Sequence, residues 1–423
     1  MGQYDRKKQS QPKHGKPSSS GASKAPPPLS RGVPGWKGPG YVHKKTSTAN
    51  STAPKAPEPT KLEHILPVEL EQQILDVFRN TFPASNDFEA LKPTLQKIND
   101  AILRREFDTA LGNENFLEAY AIRWSPSRSL AYAQLLAWIC AELAEDIYIQ
   151  HLVSGKSDEL AARVVCFGGG PAEIIAFSAL LRSLQPSEAA GRPPIPAADV
   201  SDSLEAISIS APKQADSLLH LKLFDTADWA SVLSKLDQGL TTPPPLSRYA
   251  SAAARARNAS FLLPGALEHA FTRADVLGHS TNDLCTAIGT APALLTFMFT
   301  LNELYMASIS RTTAFLQRIT EATPRGSLLL VVDTPGAQAE TSASNTEEGE
   351  NKRTYPMSRL LDYALSPSSM KRPNEEDNDE EKPGPAWEKV MEKASMSYRL
   401  EQDLKYPVSL ENTKFQVHLF KRI

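Results

Sequence analysis

The chain has 423 residues, 41% of them hydrophobic, and a formal net charge of −3, which leaves room for more than one folded unit. Nothing before residue 60 resembles the apolar core of a signal peptide, and no apolar run reaches the length of a membrane span. Cys140, Cys166 and Cys285 have neither metal-ligand spacing nor a disulfide framework, so a soluble protein of a reducing compartment, with no metal and no membrane partner, is expected.

Residues 1–60 carry eleven Lys/Arg against two acids, Asp5 and Glu58, in a Pro-, Ser- and Gly-rich background. Such a segment cannot bury enough apolar surface to fold alone, and its charge suits nucleic-acid contact or nuclear import as well as mere solubility. The expected division is a disordered basic tail over 1–62, a helical region over 63–155 and a larger domain over 156–423. In the helical region Leu70, Ile74, Val77 and Phe78 recur at helical spacing, as do Leu95, Ile98, Ile102 and Leu103. A longer helix is expected over 129–150, from Leu136, Ile139, Leu143 and Ile147, entered through Arg123-Trp124-Ser125-Pro126-Ser127-Arg128.

From residue 163 strands alternate with helices, the pattern of an α/β fold. Strands are expected over 163–167, 221–224, 269–273, 294–300 and 327–332, with a helix over 308–319 before the last of them. A short strand over 396–400 and a long one over 414–421 follow, as a terminal hairpin that adds one antiparallel strand to a mostly parallel sheet. Stretches near 186–217, 238–258, 337–354 and 373–385 read as loops or solvated insertions.

The most informative stretch is Val164 to Phe177, VVCFGGGPAEIIAF. An apolar strand meets Gly168, Gly169 and Gly170, then Pro171 at a first-turn position and Glu173 in that turn. A strand–glycine turn–helix of this kind places a nucleotide-like ligand beyond the carboxyl end of the strand. The other expected strand ends carry Asp225, Asp275, Asn302-Glu303 and Asp333. Asp225 could accept from ribose hydroxyls and Asp275 from an adenine amine, although each alone is equally an ordinary cap or turn residue. The dinucleotide pattern fails, since Glu173 stands where its third glycine belongs, and no Gly-Lys-Ser/Thr phosphate loop follows. Gly168-x-Gly170-x-Ala172 suits S-adenosylmethionine instead, with one departure: Cys166 occupies the place where methyltransferases often have an acid.

Together, VVCFGGGPAE, FDTADW (224–229), FTRADVL (271–277), FTLNELY (299–305), YPVSLENTKFQVHLFKR (406–422) and RWSPSR (123–128) resemble the fungal large-subunit (25S) rRNA uridine-N3 methyltransferases, a Rossmann-like branch of the class I methyltransferases. The resemblance runs in pieces over 62–423. It implies S-adenosylmethionine as cofactor, held by Gly168, Gly169, Gly170, Asp225, Asp275, Val276 and Asn302. It also implies large-subunit rRNA or a pre-ribosome as partner; the basic arm favours action in the nucleus or nucleolus, with the cytoplasm left open. Uracil N3 must lose its imide proton to become a nucleophile, so Asn302 and Glu303 are the catalytic candidates: Asn302 to bond a carbonyl edge, Glu303 to take the proton or else only to cap a helix. Arg123, Trp124 and Arg128 are candidates for RNA phosphate and base contacts, or for locking the helical region onto the sheet. The competing functions are a methyltransferase on protein or a small molecule, and a cofactor-binding ribosome-assembly scaffold without catalysis.

Overall fold

The computed structural model describes residues 59–154, 161–184, 217–256, 258–341, 353–365 and 385–423. The expected tail up to residue 58, and most of the insertions near 186–217, 337–354 and 373–385, lie outside the described residues. The chain opens with β1 (Thr60–Lys61), then α1 (Val68–Thr81), α2 (Phe88–Leu103), α3 (Phe107–Ala110), α4 (Glu114–Arg123), α5 (Ser125–Glu142) and α6 (Ile147–Ser154). In α1 the anticipated face of Leu70, Ile74, Val77 and Phe78 is buried, with Glu69 and Glu71 in the first turn and Arg79 in the last, matching the helix dipole.

The helix expected over 129–150 is two helices. Its true start is Ser125-Pro126, a first-turn proline position, and it stops at Glu142. Asp146 then opens α6, its Oδ1 accepting from the Tyr148 and Ile149 N–H at 2.9 and 3.3 Å. Leu143 and Ile147 keep the apolar spacing across the break, which conceals the cap. Helix α4 was not anticipated; it starts where the Asn113 side chain accepts from the Phe116 N–H at 3.0 Å.

The α/β part runs β2 (Ala162–Phe167), α7 (Pro171–Leu184), β3 (Leu219–Asp225), α8 (Ala230–Thr241), α9 (Ala252–Ala256), β4 (Leu267–Arg273), α10 (Thr281–Ile288), β5 (Leu294–Met298), α11 (Leu301–Ala307), α12 (Ile309–Ala322), β6 (Leu328–Asp333), β7 (Gln338–Thr341), β8 (Arg353–Pro356), α13 (Met357–Leu365), β9 (Trp387–Tyr398) and β10 (Thr413–Arg422). The main sheet has the order β1-β9-β10-β6-β5-β2-β3-β4. All its pairings are parallel except those of β10, which runs antiparallel to both β6 and β9. This is the expected mostly parallel α/β sheet with one reversed strand at its terminal hairpin. The differences are local. Residues 238–241 finish α8 rather than beginning a loop, 338–341 and 353–356 pair as a small antiparallel ribbon, and the short strand expected over 396–400 is the twelve-residue β9 ending at Tyr398.

Along β2, Val164 and Cys166 belong to one hydrophobic cluster, Val165 and Phe167 to another, as the two-residue repeat of a strand buried on both faces requires. The first cluster also contains Leu70, Ile74 and Phe78 of α1 and Leu130 and Leu135 of α5. Among the described residues the helical region therefore shares a core with the sheet, across the expected domain junction near residue 156.

A buried polar knot ties the entering chain to this core. The Ile65 and Leu66 N–H groups donate to Gln134 Oε1 at 2.8 and 3.0 Å, and Gln134 Nε2 donates to Glu71 Oε1 at 2.8 Å. The Tyr398 hydroxyl of β9 donates to the same Glu71 oxygen at 2.9 Å. Buried polar groups stripped of partners cost roughly 1–3 kcal/mol each. Gln134→Leu is expected to lower unfolding stability by at least about 3 kcal/mol, read as a shift of the chemical denaturation midpoint.

Candidate active site and cofactor cleft

The carboxyl ends of β2, β3, β4 and β5 surround a cleft of about 270 Å³, with α4 and α5 forming another wall. Gly168 sits in the left-handed region at φ +78°, and a Cβ there would lie 2.1 Å from Thr300 Oγ1. Only glycine takes that conformation without steric cost. The Gly168 and Gly169 N–H groups both donate to the Phe224 carbonyl, at 2.7 and 3.1 Å, so the turn is fastened to the end of β3. Gly168 and Gly170 line the cleft. Gly169 does not; a Cβ on it would strike Cys166 and Leu223 side-chain atoms at 2.6 and 2.7 Å, so it permits close packing beneath the turn.

Asp225 ends β3 and lines the cleft, its Oδ1 accepting from the Ala227 N–H at 2.7 Å. Burial raises its carboxyl to about 6, although that bond and others to Trp229 and Thr226 favour the ionised form. Asp275 and Val276 follow β4 and also line the cleft. The Asp275 carboxylate accepts from the Leu277 N–H at 3.0 Å and from Arg311 Nη2 at 3.0 Å. Trp229 is buried and packs against Tyr120 with ring centroids 5.6 Å apart, yet one side of it faces the cleft.

The pair Asn302-Glu303 opens α11 rather than ending a strand, and its members diverge. Glu303 lines the cleft and pairs with Arg105, which reaches over from the end of α2. Asn302, expected to face cofactor and base, is not among the cleft-lining residues. Its Nδ2 lies 3.7 Å from Met306 Sδ, its Oδ1 is buried without a partner, and its N–H donates to Asp333 Oδ2 at 2.9 Å. Asp333 likewise acts within the fold: its other oxygen accepts from the Thr334 N–H at 2.8 Å, and the two bonds anchor the start of α11. Just upstream, Phe299 holds φ +58°, unusual for an aromatic residue, and its N–H donates to the Val332 carbonyl at 2.7 Å.

The RWSPSR residues also separate. Arg123 pairs with Glu411 and donates to the Ser409 carbonyl at 3.1 Å, bracing the helical region against the loop between β9 and β10. Trp124 packs on Tyr120 with centroids 4.9 Å apart. Arg128 hydrogen-bonds the Tyr120 hydroxyl and lines the cleft. Sequence reasoning did not assign Tyr120, Tyr132, Glu173, Phe299 or Thr300 to the cleft. For Glu173 a signal existed, an acid three residues after Gly170; for Tyr120 and Tyr132 none did, because their place follows from how α4 and α5 pack.

A family model described as "Putative SAM-dependent methyltransferase" matches residues 78–421. The chain belongs to this SAM-dependent methyltransferase family. It is 26% identical over 359 residues, covering 82% of this chain and 85% of the relative, to the 25S rRNA (uridine(2843)-N(3))-methyltransferase of Saccharomyces cerevisiae. Among solved structures it is similar to a SAM-dependent methyltransferase from Methanosarcina mazei, at 8% identity over 63% of this chain and 94% of that one, with a TM-score of 0.30. It is also similar to a SAM-bound amino pentose methyltransferase from Micromonospora echinaspora, at 10% identity over 69% of this chain and 92% of that one, with a TM-score of 0.28.

The cleft of this methyltransferase fits its cofactor. The glycine turn leaves backbone where a side chain would intrude; of the four carboxylates that line the cleft, Glu303 and Asp275 are paired with Arg105 and Arg311, which leaves Glu173 and Asp225, with the Arg128 guanidinium, to meet a ligand. That balance suits a ligand with a sulfonium, an ammonium and a single carboxylate. Asp225 can accept from a diol with the lone pairs that Ala227, Thr226 and Trp229 leave available. In calorimetric titrations with S-adenosylhomocysteine, Asp225→Asn is expected to weaken binding about 10- to 100-fold, the worth of a charge-assisted hydrogen bond. Gly168→Ala is expected to weaken it at least about tenfold through the displaced turn.

Proposed function

We propose that this methyltransferase acts on N3 of a uridine in large-subunit rRNA, with Glu303 as the proton acceptor. The observation that carries the reading is Glu303 itself, a half-exposed carboxylate on the cleft wall beside Thr300 and the glycine turn. The name of the yeast relative supports the choice of substrate. S-adenosylmethionine, when bound, supplies a methyl group already activated on sulfur. The chain's own residues have two tasks: holding the two reactants in line and removing the N3 proton. Glu303 takes that proton, so the negative charge passes from carboxylate to N3; the bound cofactor would supply the methyl with cleavage of its carbon–sulfur bond, and the sulfonium would leave as a neutral thioether, so the charges cancel. Arg105 fixes the Glu303 side chain, and Phe107, half-exposed at the rim of the same cleft, offers an apolar face to an extruded base.

The basic segment 1–60 would contact the rRNA phosphates, and the nucleolus is the matching place of action. Removing residues 1–56 is expected to weaken binding to large-subunit rRNA and to flatten the salt dependence of what remains, as measured by filter binding at several ionic strengths.

The decisive test is mass spectrometry of nucleosides from large-subunit rRNA incubated with the full chain and S-adenosylmethionine. 3-Methyluridine is expected with wild type. With Glu303→Gln its rate of formation should fall by about 10²- to 10⁴-fold, while S-adenosylhomocysteine affinity stays within about threefold. No 3-methyluridine despite intact cofactor binding would move the activity to another substrate, or leave a cofactor-binding scaffold.

A further inference from the structure

Cys166 occupies the strand position from which an acid was expected to hold the amino-acid end of the cofactor. It is buried at 1% exposure, and burial pushes its thiol far above the usual range, so it offers no charge. A cationic ammonium would still have to leave water on entering the cleft, and needs an anion or several acceptors there.

Seven residues further on, Glu173 lies at the floor of the same cleft with 5% exposure. Its Oε2 accepts from the Gly170 N–H at 2.7 Å, which turns the carboxylate back under the glycine turn rather than out along α7. Arg128 enters the cleft from α5, held by the Tyr120 hydroxyl. Each is within electrostatic reach of the other, yet they make no direct ion pair among the described residues. A buried acid and a guanidinium that share one cleft without closing on each other form a receptor for a zwitterion. α5 packs against α7, with Ser129 Oγ, which donates to the Ser125 carbonyl at 2.8 Å, also 3.3 Å from the Ala172 carbonyl.

We propose that Glu173 and Arg128 cradle the methionyl end of the cofactor: Glu173 takes the ammonium in place of the missing strand acid, and Arg128 takes the carboxylate. The inference rests on the cofactor established above and assigns two positioning residues that the sequence motifs do not. Burial raises the Glu173 carboxyl to about 7, with Arg128 and the Gly170 N–H opposing and Asp225 adding to the rise. Besides Arg128 and Asp225, the titratable groups facing it are Tyr132 on α5 and Cys166 on β2, and both stay protonated because burial raises them. A carboxyl raised in this way is half-neutral near pH 7 and must ionise when the ammonium arrives. Affinity for an ammonium-bearing ligand therefore rises as pH increases through about 7 and levels off above it.

The test is calorimetric titration of the full chain with three non-reacting probes: S-adenosylhomocysteine, its deaminated analogue that keeps the carboxylate, and 5′-methylthioadenosine, which has neither charge. Wild type is expected to prefer S-adenosylhomocysteine over the deaminated analogue by about 10- to 100-fold. Glu173→Gln should cut that preference to within about threefold, abolish the affinity gain between pH 6.5 and 8, and leave 5′-methylthioadenosine unchanged. Arg128→Gln should weaken both carboxylate-bearing probes and spare 5′-methylthioadenosine. An undiminished preference in Glu173→Gln would overturn the proposal, as would an equal loss for all three probes, which would make Glu173 a shaper of the turn alone. Failure of 5′-methylthioadenosine to bind wild type would instead count against the nucleoside cleft itself.

Discussion

Two backbone hydrogen bonds from the glycine turn to one carbonyl, that of Phe224, govern the geometry of this protein. They fix the end of β2 to the end of β3 and leave the turn no room to rise. On its other side Thr300 fills the space a Gly168 side chain would need, so the segment after β5 is pressed against the same turn. Phe299 accommodates that approach by adopting a left-handed backbone. The start of α7, the mouth of the cleft and the direction of α11 all follow from this contact. Strain of this kind persists only where the surroundings over-determine it; here the Val332 carbonyl accepting from Phe299 N–H and the Asp333 carboxylate accepting from Asn302 N–H supply the restraint.

Around that frame the cleft collects acids in an environment that discourages ionisation. Burial raises Glu173 and Asp225 toward neutrality, which costs stability at neutral pH. For both, the folded state favours the protonated form, so their contribution to stability is greatest below pH 4 and fades as pH rises through 6 to 7. A cationic ligand reverses that penalty by giving each carboxylate a partner. The helical region matters here as much as the sheet: through α4 and α5 it brings Tyr120, Arg128 and Tyr132 to the cleft, and through the Glu71–Gln134–Tyr398 knot it is bound to the terminal hairpin.

Much of this was legible. Strand ends and the glycine turn announce themselves because local rules determine them: apolar runs of strand length, glycine where φ must be positive, acids just beyond. What misled was also local. Leu143 and Ile147 keep a helical rhythm across a break that Asp146 caps, so two helices read as one. Residues 238–241 precede three prolines and so read as part of the loop those prolines begin, although Leu240 is buried and completes α8. The partition of Asn302 and Glu303 was beyond reach, since adjacent residues on a helix diverge by about 100° and the choice of inward face depends on how α11 is anchored by Asp333.

The α/β class, the nucleoside-type turn at Gly168 to Gly170 and the acids at the strand ends are legible locally, because each depends on the conformational limits of a few consecutive residues. Which of those groups face the cleft, that Arg123 braces while Arg128 enters, and that Glu173 lies where Cys166 cannot serve are set by packing. These facts depend on the packing of α5 against α7 and of α11 against β6, contacts between residues far apart in the chain that no local pattern encodes.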